Sequence, residues 1–226
     1  MKDLLLQALP KELGVMPPDF QCTPQALQGL FPLSDTDACH RCKEIHAERA
    51  QCNEQTLMVS TTTPINVLDF ETYISQWDNT AAKVNRRCDY LMWNDENGRR
   101  KVVLCDISCS VSEHVDPNPG DKHPEGKRQY SYMQMQESLD ALMRILVLEQ
   151  YLLTATEKVF LFGWREPDIT TQVQDNAENA MASLILDTAI EDAATFEQPA
   201  TYHGFDFVQV KYPHPYKWEK DIITLR

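Results

Sequence analysis

Between residues 88 and 111 the alternation of apolar and polar positions changes character part-way. Val103, Cys105, Ile107 and Cys109 make one parity apolar throughout, while on the other Val102 and Leu104 give way to Asp106, Ser108 and Ser110. A period of two predicts a strand with two faces, here over about 101–111. The apolar run 89–93 predicts its partner. Asn94-Asp95-Glu96-Asn97-Gly98 between them carries the Asn/Asp/Gly chemistry of a chain reversal, with Gly98 suited to positive φ, so the two runs read as a hairpin. The polar half of one face is the anomaly. A strand that enters as core and leaves with an acid and two hydroxyls emerges where it can meet water, a metal or a substrate.

Elsewhere the period changes to 3.6. Tyr132, Met135, Leu139, Leu142, Met143 and Leu146 form one stripe and predict a helix over 129–152, with Gln136 inside the stripe and Gln129 on its margin. Ser34-Asp35-Thr36-Asp37 is a cap for a second helix, about 37–55. Residues 56–75 read as strands interrupted at Pro64, 157–164 as a buried strand, 176–196 as an amphipathic helix, and 205–210 as a strand stopped by the prolines that follow. The prolines of residues 1–34 break that stretch into helical turns and loops, and 113–127 is a proline-rich loop. Together these elements predict an α/β fold with a mixed central sheet flanked by helices and the hairpin at its centre. Residues 1–55 are expected to be an N-terminal helical segment packing on a core of 56–226, within one domain overall.

Composition narrows the function classes. With 226 residues, 42% hydrophobic and 24% charged, the chain has enough apolar sequence for a substantial core. No apolar run reaches the roughly 20 residues of a membrane helix, and the opening residues turn acidic too soon for a secretory signal, so a cytoplasmic location is expected. Seven cysteines, an odd number, suit reduced thiols better than a disulfide framework. The formal net charge of −13 opposes a polyanionic ligand. A nucleic-acid partner would need a local basic patch or a basic partner protein. Eight of the 21 lysines and arginines fall in three short runs, Lys83 to Arg87, Arg99 to Lys101 and Lys127-Arg128, around the hairpin and the start of the long helix.

The acid Asp89 opening one strand, the hairpin, and Asp106-x-Ser108 on the next strand resemble the PD-(D/E)xK nuclease superfamily. Asp89 matches the first acid and Asp106 the second, while Ser108 stands where the family has lysine. The resemblance implies a restriction-endonuclease-like α/β core, with magnesium or manganese held by Asp89 and Asp106, and hydrolysis of phosphodiester bonds; on chemical grounds a hard cation there can also take the Ile107 carbonyl oxygen. It also implies a glutamine facing the site from the following helix, Gln136, and a further acid from an early helix, Glu48. A displaced lysine, Lys122 or Lys127, would replace the missing cation. Lys101 has the parity of the opposite face. The chemistry has its own logic: two carboxylates on neighbouring strands chelate a hard cation, which polarises a phosphoryl oxygen and acidifies a bound water. The alternative is a nuclease-like domain without catalysis that serves as a binding or regulatory subunit.

Cys39-x-x-Cys42-x-x-x-His46 has zinc-like spacing, but the segment lacks glycine and reads as helix, where these residues join a core stripe. His114 and His123 lie in the proline-rich loop and read as solvated. With seven glycines in all there is neither a phosphate-binding glycine loop nor a G-x-S-x-G elbow.

Overall fold

The computed structural model describes residues 1–9, 23–34, 56–75, 86–96, 98–109, 115–120, 124–165 and 201–219. In chain order its elements are a short π-type helical segment α1 (Leu4–Ala8), β1 (Gln25–Ser34), β2 (Thr56–Asp69), α2 (Phe70–Ser75), β3 (Tyr90–Glu96), β4 (Arg99–Cys109), α3 (Gly126–Met143), α4 (Leu146–Leu153), β5 (Glu157–Arg165), β6 (Thr201–Tyr202), β7 (Phe205–Lys211) and β8 (Tyr216–Lys217). The strands form one open mixed sheet in the order β1-β2-β3-β4-β5-β7-β6, with β8 pairing β2 off this path. The hairpin forms at the predicted place. Tyr90 pairs with Cys105 and Glu96 with Arg99 in antiparallel register, and Gly98 has φ 74°. From β4 the chain crosses through α3 and α4 to β5, which pairs parallel to β4, so α3 begins at the end of the sheet where β4 finishes.

The two parities of β4 enter two cores. Val102 and Leu104 pack with Leu91, Tyr132, Met135, Leu139, Leu142 and Phe160 beneath α3, while Val103, Cys105 and Ile107 pack with Val59, Met92, Leu161, Tyr216 and Trp218 on the other face. Among the described residues the helices cover the first face only. The second is crossed by the chain itself, because the early part of β2 swings over the sheet and sets Leu57 against β5. A β-carbon at Gly163 would stand 3.1 Å from Leu57 Cδ2 and 3.2 Å from Leu57 Cβ. Gly163→Ala is therefore expected to lose about 1–3 kcal/mol as the crossing is forced apart, read as a lower urea midpoint. A variant as stable as the parent would mean that β2 is not seated on β5.

Three expectations need correction. Residues 25–34 are not helical turns and loops but strand β1, an edge strand paired with β2 and mostly exposed on its outward side. Residues 56–69 are one strand, uninterrupted at Pro64. β2 changes partners there, pairing β8 at Val59 and Ser60 and β3 from Asn66 onward, and the ladder to β1 shifts register between Leu27 and Gly29. Proline, lacking a donor, is tolerated at such an irregularity. The helix predicted over 129–152 is two helices, because Ile145 is extended (φ −106°, ψ 111°). Leu146, the last member of the predicted stripe, is 65% exposed as a result.

The C-terminal part of the described chain is held across the second face. Thr61 Oγ1, Thr62 N and Thr63 N donate to the Glu219 carboxylate at 3.0, 2.9 and 3.3 Å. Burial pushes that carboxyl up, but the donors on Thr62 and Thr61 outweigh it and hold it below the ordinary carboxylate range. Lys101, on the same face, donates to the Trp218 carbonyl and lies 3.5 Å from Glu157 Oε2. No helix among the described residues is long and apolar enough to cross a membrane. The predicted helices over 37–55 and 176–196 lie outside the described residues.

Candidate functional site

Asp89 immediately precedes β3, and extending the register from Tyr90 and Cys105 sets it opposite Asp106. Here the ladder departs from regular pairing. The Asp89 carbonyl accepts from Phe70 N at 2.7 Å and Glu71 N at 3.3 Å, capping the start of α2, while its carboxylate Oδ2 accepts from Ile107 N at 2.6 Å. The side chain thus takes a backbone donor of β4, and one residue ties β3, β4 and α2 together. Hydrogen bonds of this charge-assisted kind are short and strong.

Asp106 and Ser108 continue the parity of Val102 and Leu104 onto the face that α3 covers. The sequence expectation that they emerge toward solvent is corrected by their burial: Asp106 is 4% exposed, Ser108 7% and Asp89 9%. Both acids act on the neighbouring thiols. The Cys105 thiol is pushed well up by burial, then by the charges of Asp89 and Asp106, and Cys88 is raised by burial and by the same two acids against a lowering hydrogen bond from Ser138. Neither buried thiol is activated. Tyr90 is likewise raised, chiefly by burial and then by Asp69 and Asp89.

α3 holds the approach to Asp89 along one flank. Arg86 N donates to Glu137 Oε2 at 3.1 Å, Gln134 Nε2 to the Arg87 carbonyl at 2.6 Å, and Cys88 N to Ser138 Oγ at 2.9 Å. Gln136 is half-buried and makes no hydrogen bond to a described residue; the glutamine that reaches the segment leading to Asp89 is Gln134. An apolar stripe tells which face of a helix is inward but not which polar flank meets a neighbouring segment. Asp69 was also missed. Its carboxylate accepts from Thr72 N at 2.9 Å and Thr72 Oγ1 at 2.8 Å, capping α2 beside the site, and the signal was Asp69-x-x-Thr72 itself.

The three basic runs have separate fates. Arg100 stacks on Tyr151, its Cζ 3.6 Å from the ring centroid, and pairs with Asp95 at 3.2 Å. That Tyr151 hydroxyl is pushed up to about 12, mainly by burial. Lys101 is buried on the far face, as its parity predicts. Arg128 pairs with Asp116 at 2.7 Å. Arg86 and Lys127 converge on one ring: Arg86 Cζ lies 5.4 Å and Lys127 Nζ 5.8 Å from the centroid of Tyr130.

Among the described residues no group of three or more histidines, cysteines or acids is arranged to hold a metal ion. Glu48, Lys122, His114, His123 and the Cys39/Cys42/His46 set lie outside the described residues. Compared with protein-family models, with curated proteins and with solved structures, the chain finds no significant match in any of the three.

Proposed function

We propose that the chain is a nuclease-like protein that hydrolyses phosphodiester bonds of nucleic acid, with a divalent cation held by Asp89 and Asp106 in a restriction-endonuclease-like core. The observation that carries this reading is the pairing of two buried acids at facing positions of adjacent strands, on the face that α3 covers. Buried carboxylates side by side repel one another when charged, and a cation between them removes that cost. The donor chemistry fits magnesium or manganese, hard ions that take one or two carboxylates and complete their shell with water.

Such an ion polarises a phosphoryl oxygen and acidifies a water bound beside it. The chain's own residues do the rest. Ile107 N–H fixes Asp89 Oδ2, so the first acid is pre-oriented. Ser108 brings no positive charge to the developing pentavalent phosphate. Among the described lysines, Lys127 stands at the start of α3, the end of the sheet where β4 finishes, and brings positive charge to a strand bound on that side. Gln136 is the candidate for orienting water from the helix.

A second reading is a nuclease-like domain that binds without cutting. It is favoured by serine at position 108 and by the structural employment of the Asp89 carboxylate, which gives that acid a reason to exist apart from catalysis.

The test is incubation of the protein with labelled single- and double-stranded DNA and RNA in magnesium and in manganese, beside Asp106→Asn and Asp106→Ala. The nuclease reading expects metal-dependent cleavage that falls by roughly 100-fold or more in both variants. A folded parent that cuts none of these substrates in either metal would overturn it in favour of the second reading.

A further inference from the structure

Arg86 and Lys127 come from segments about 40 residues apart, yet both stand within 6 Å of the centroid of one tyrosine ring, Tyr130 on the first turns of α3. Cations at this range are attracted to the ring by its quadrupole. The two cations still repel each other. Among the described residues Arg86 pairs with one acid, Glu137, but the contact runs from Nε to Oε1 at 3.8 Å, beyond hydrogen-bond length, with both side chains about a third or more exposed. Lys127 makes no ion pair with a described residue. Three other cations of the basic runs are occupied differently, Arg100 by Asp95 and Tyr151, Lys101 by Glu157 and Trp218, Arg128 by Asp116. In a chain of net charge −13, a pair of cations oriented by one ring is therefore a local exception.

Its placement gives it a use. Arg86 lies three residues before Asp89, and its backbone is fixed to α3 through Glu137 while Arg87 and Cys88 are fixed through Gln134 and Ser138. Three residues of extended chain span at most about 11 Å, which is one or two internucleotide steps. We infer that Arg86, Tyr130 and Lys127 form a clamp for a backbone phosphate of the nucleic acid, adjoining the phosphate at the Asp89–Asp106 pair. The ring holds both cations near it before the ligand arrives, and an anion bound beside them offsets their shared positive charge. The clamp rests on the functional reading above and extends it: it assigns Lys127 to holding the strand beside the scissile bond, and the charge at the scissile phosphate itself then comes from another group.

The test is binding of a fluorescently labelled single-stranded DNA oligonucleotide in EDTA, where no metal-dependent cutting occurs, by anisotropy across a salt series. Arg86→Ala/Lys127→Ala is expected to weaken binding about 10-fold or more and to flatten the salt dependence by one to two phosphate contacts. Tyr130→Leu should weaken it by roughly 2- to 5-fold, the loss of a cation–π contact or two, with Tyr130→Phe restoring it. Arg99→Ala, a cation at the hairpin turn, is the unaffected control. An unchanged affinity and salt slope in the double variant, or no binding by the parent, would overturn the clamp. So would Lys127→Ala lowering kcat in magnesium without raising KM, since Lys127 would then act on the reacting phosphate. Asp106→Asn separates the two readings: loss of cutting with retained binding supports both, whereas a parent that binds through the clamp and never cuts leaves the clamp standing and removes the nuclease.

Discussion

A Gly126→Ala chain is expected to unfold about 3 kcal/mol more easily than the parent. Gly126 opens α3 with φ 78°, where a side chain adds roughly 1–2 kcal/mol of strain. The larger difficulty is space. A β-carbon there would stand 2.5 Å from the Asp116 carbonyl carbon and 2.7 Å from the Val115 carbonyl oxygen, both backbone atoms that no rotamer change can move. The Val115 carbonyl also accepts from Arg128 N at 3.0 Å, so displacing this crossing breaks a bond at the start of α3. Urea denaturation reads the loss directly. Gly120→Ala is the comparison, because its β-carbon would meet only Asn118 Oδ1 at an ordinary 3.5 Å, and its effect should stay within about 0.5 kcal/mol. Equal stability of the two variants would show that the crossing at Val115 and Asp116 yields without cost.

Asp89→Ala is expected to cost about 2–3 kcal/mol, more than the loss of a surface acid. Removing the carboxylate strands the Ile107 N–H inside the sheet, and a buried donor left without a partner costs about 1–3 kcal/mol, toward the upper end when the lost acceptor was charged. Asp89→Asn keeps an acceptor oxygen at the same reach and should recover most of the difference. On the nuclease reading proposed above, both variants lose the charge that a cation needs, and both should lose metal-dependent cleavage. Stability and activity then part company in the asparagine variant, and faster exchange of the Ile107 amide in the alanine variant alone would show that the bond is the cause. If the two variants unfold alike, the Asp89–Ile107 bond contributes no more than the solvent would.

What the chain discloses before folding depends on how local the cause is. The β3–β4 hairpin was legible because its signals, alternation on either side of Asn94 to Gly98, act within a few residues. β1 was not, since an edge strand exposed on one side and shifted at Gly29 shows no clean period. The break at Ile145 was hidden by Leu146, which continues the 3.6-residue stripe in sequence although the backbone has already turned. At the site the parity of Asp106 and Ser108 could be read, but not their burial, because that is imposed by α3 lying over them. The choice between Gln134 and Gln136 likewise depends on where residues 86–88 run, a tertiary fact.

The double employment of Asp89 bears on how such a chain would age. An acid that caps one helix with its carbonyl and completes a neighbouring strand with its carboxylate is kept by folding whether or not the protein still performs chemistry. In a lineage that stopped cutting nucleic acid, the bond from Ile107 N would still hold the Asp89 carboxylate in place. In descendants of this chain, an aspartate surviving at 89 would record the fold and would not by itself record any chemistry.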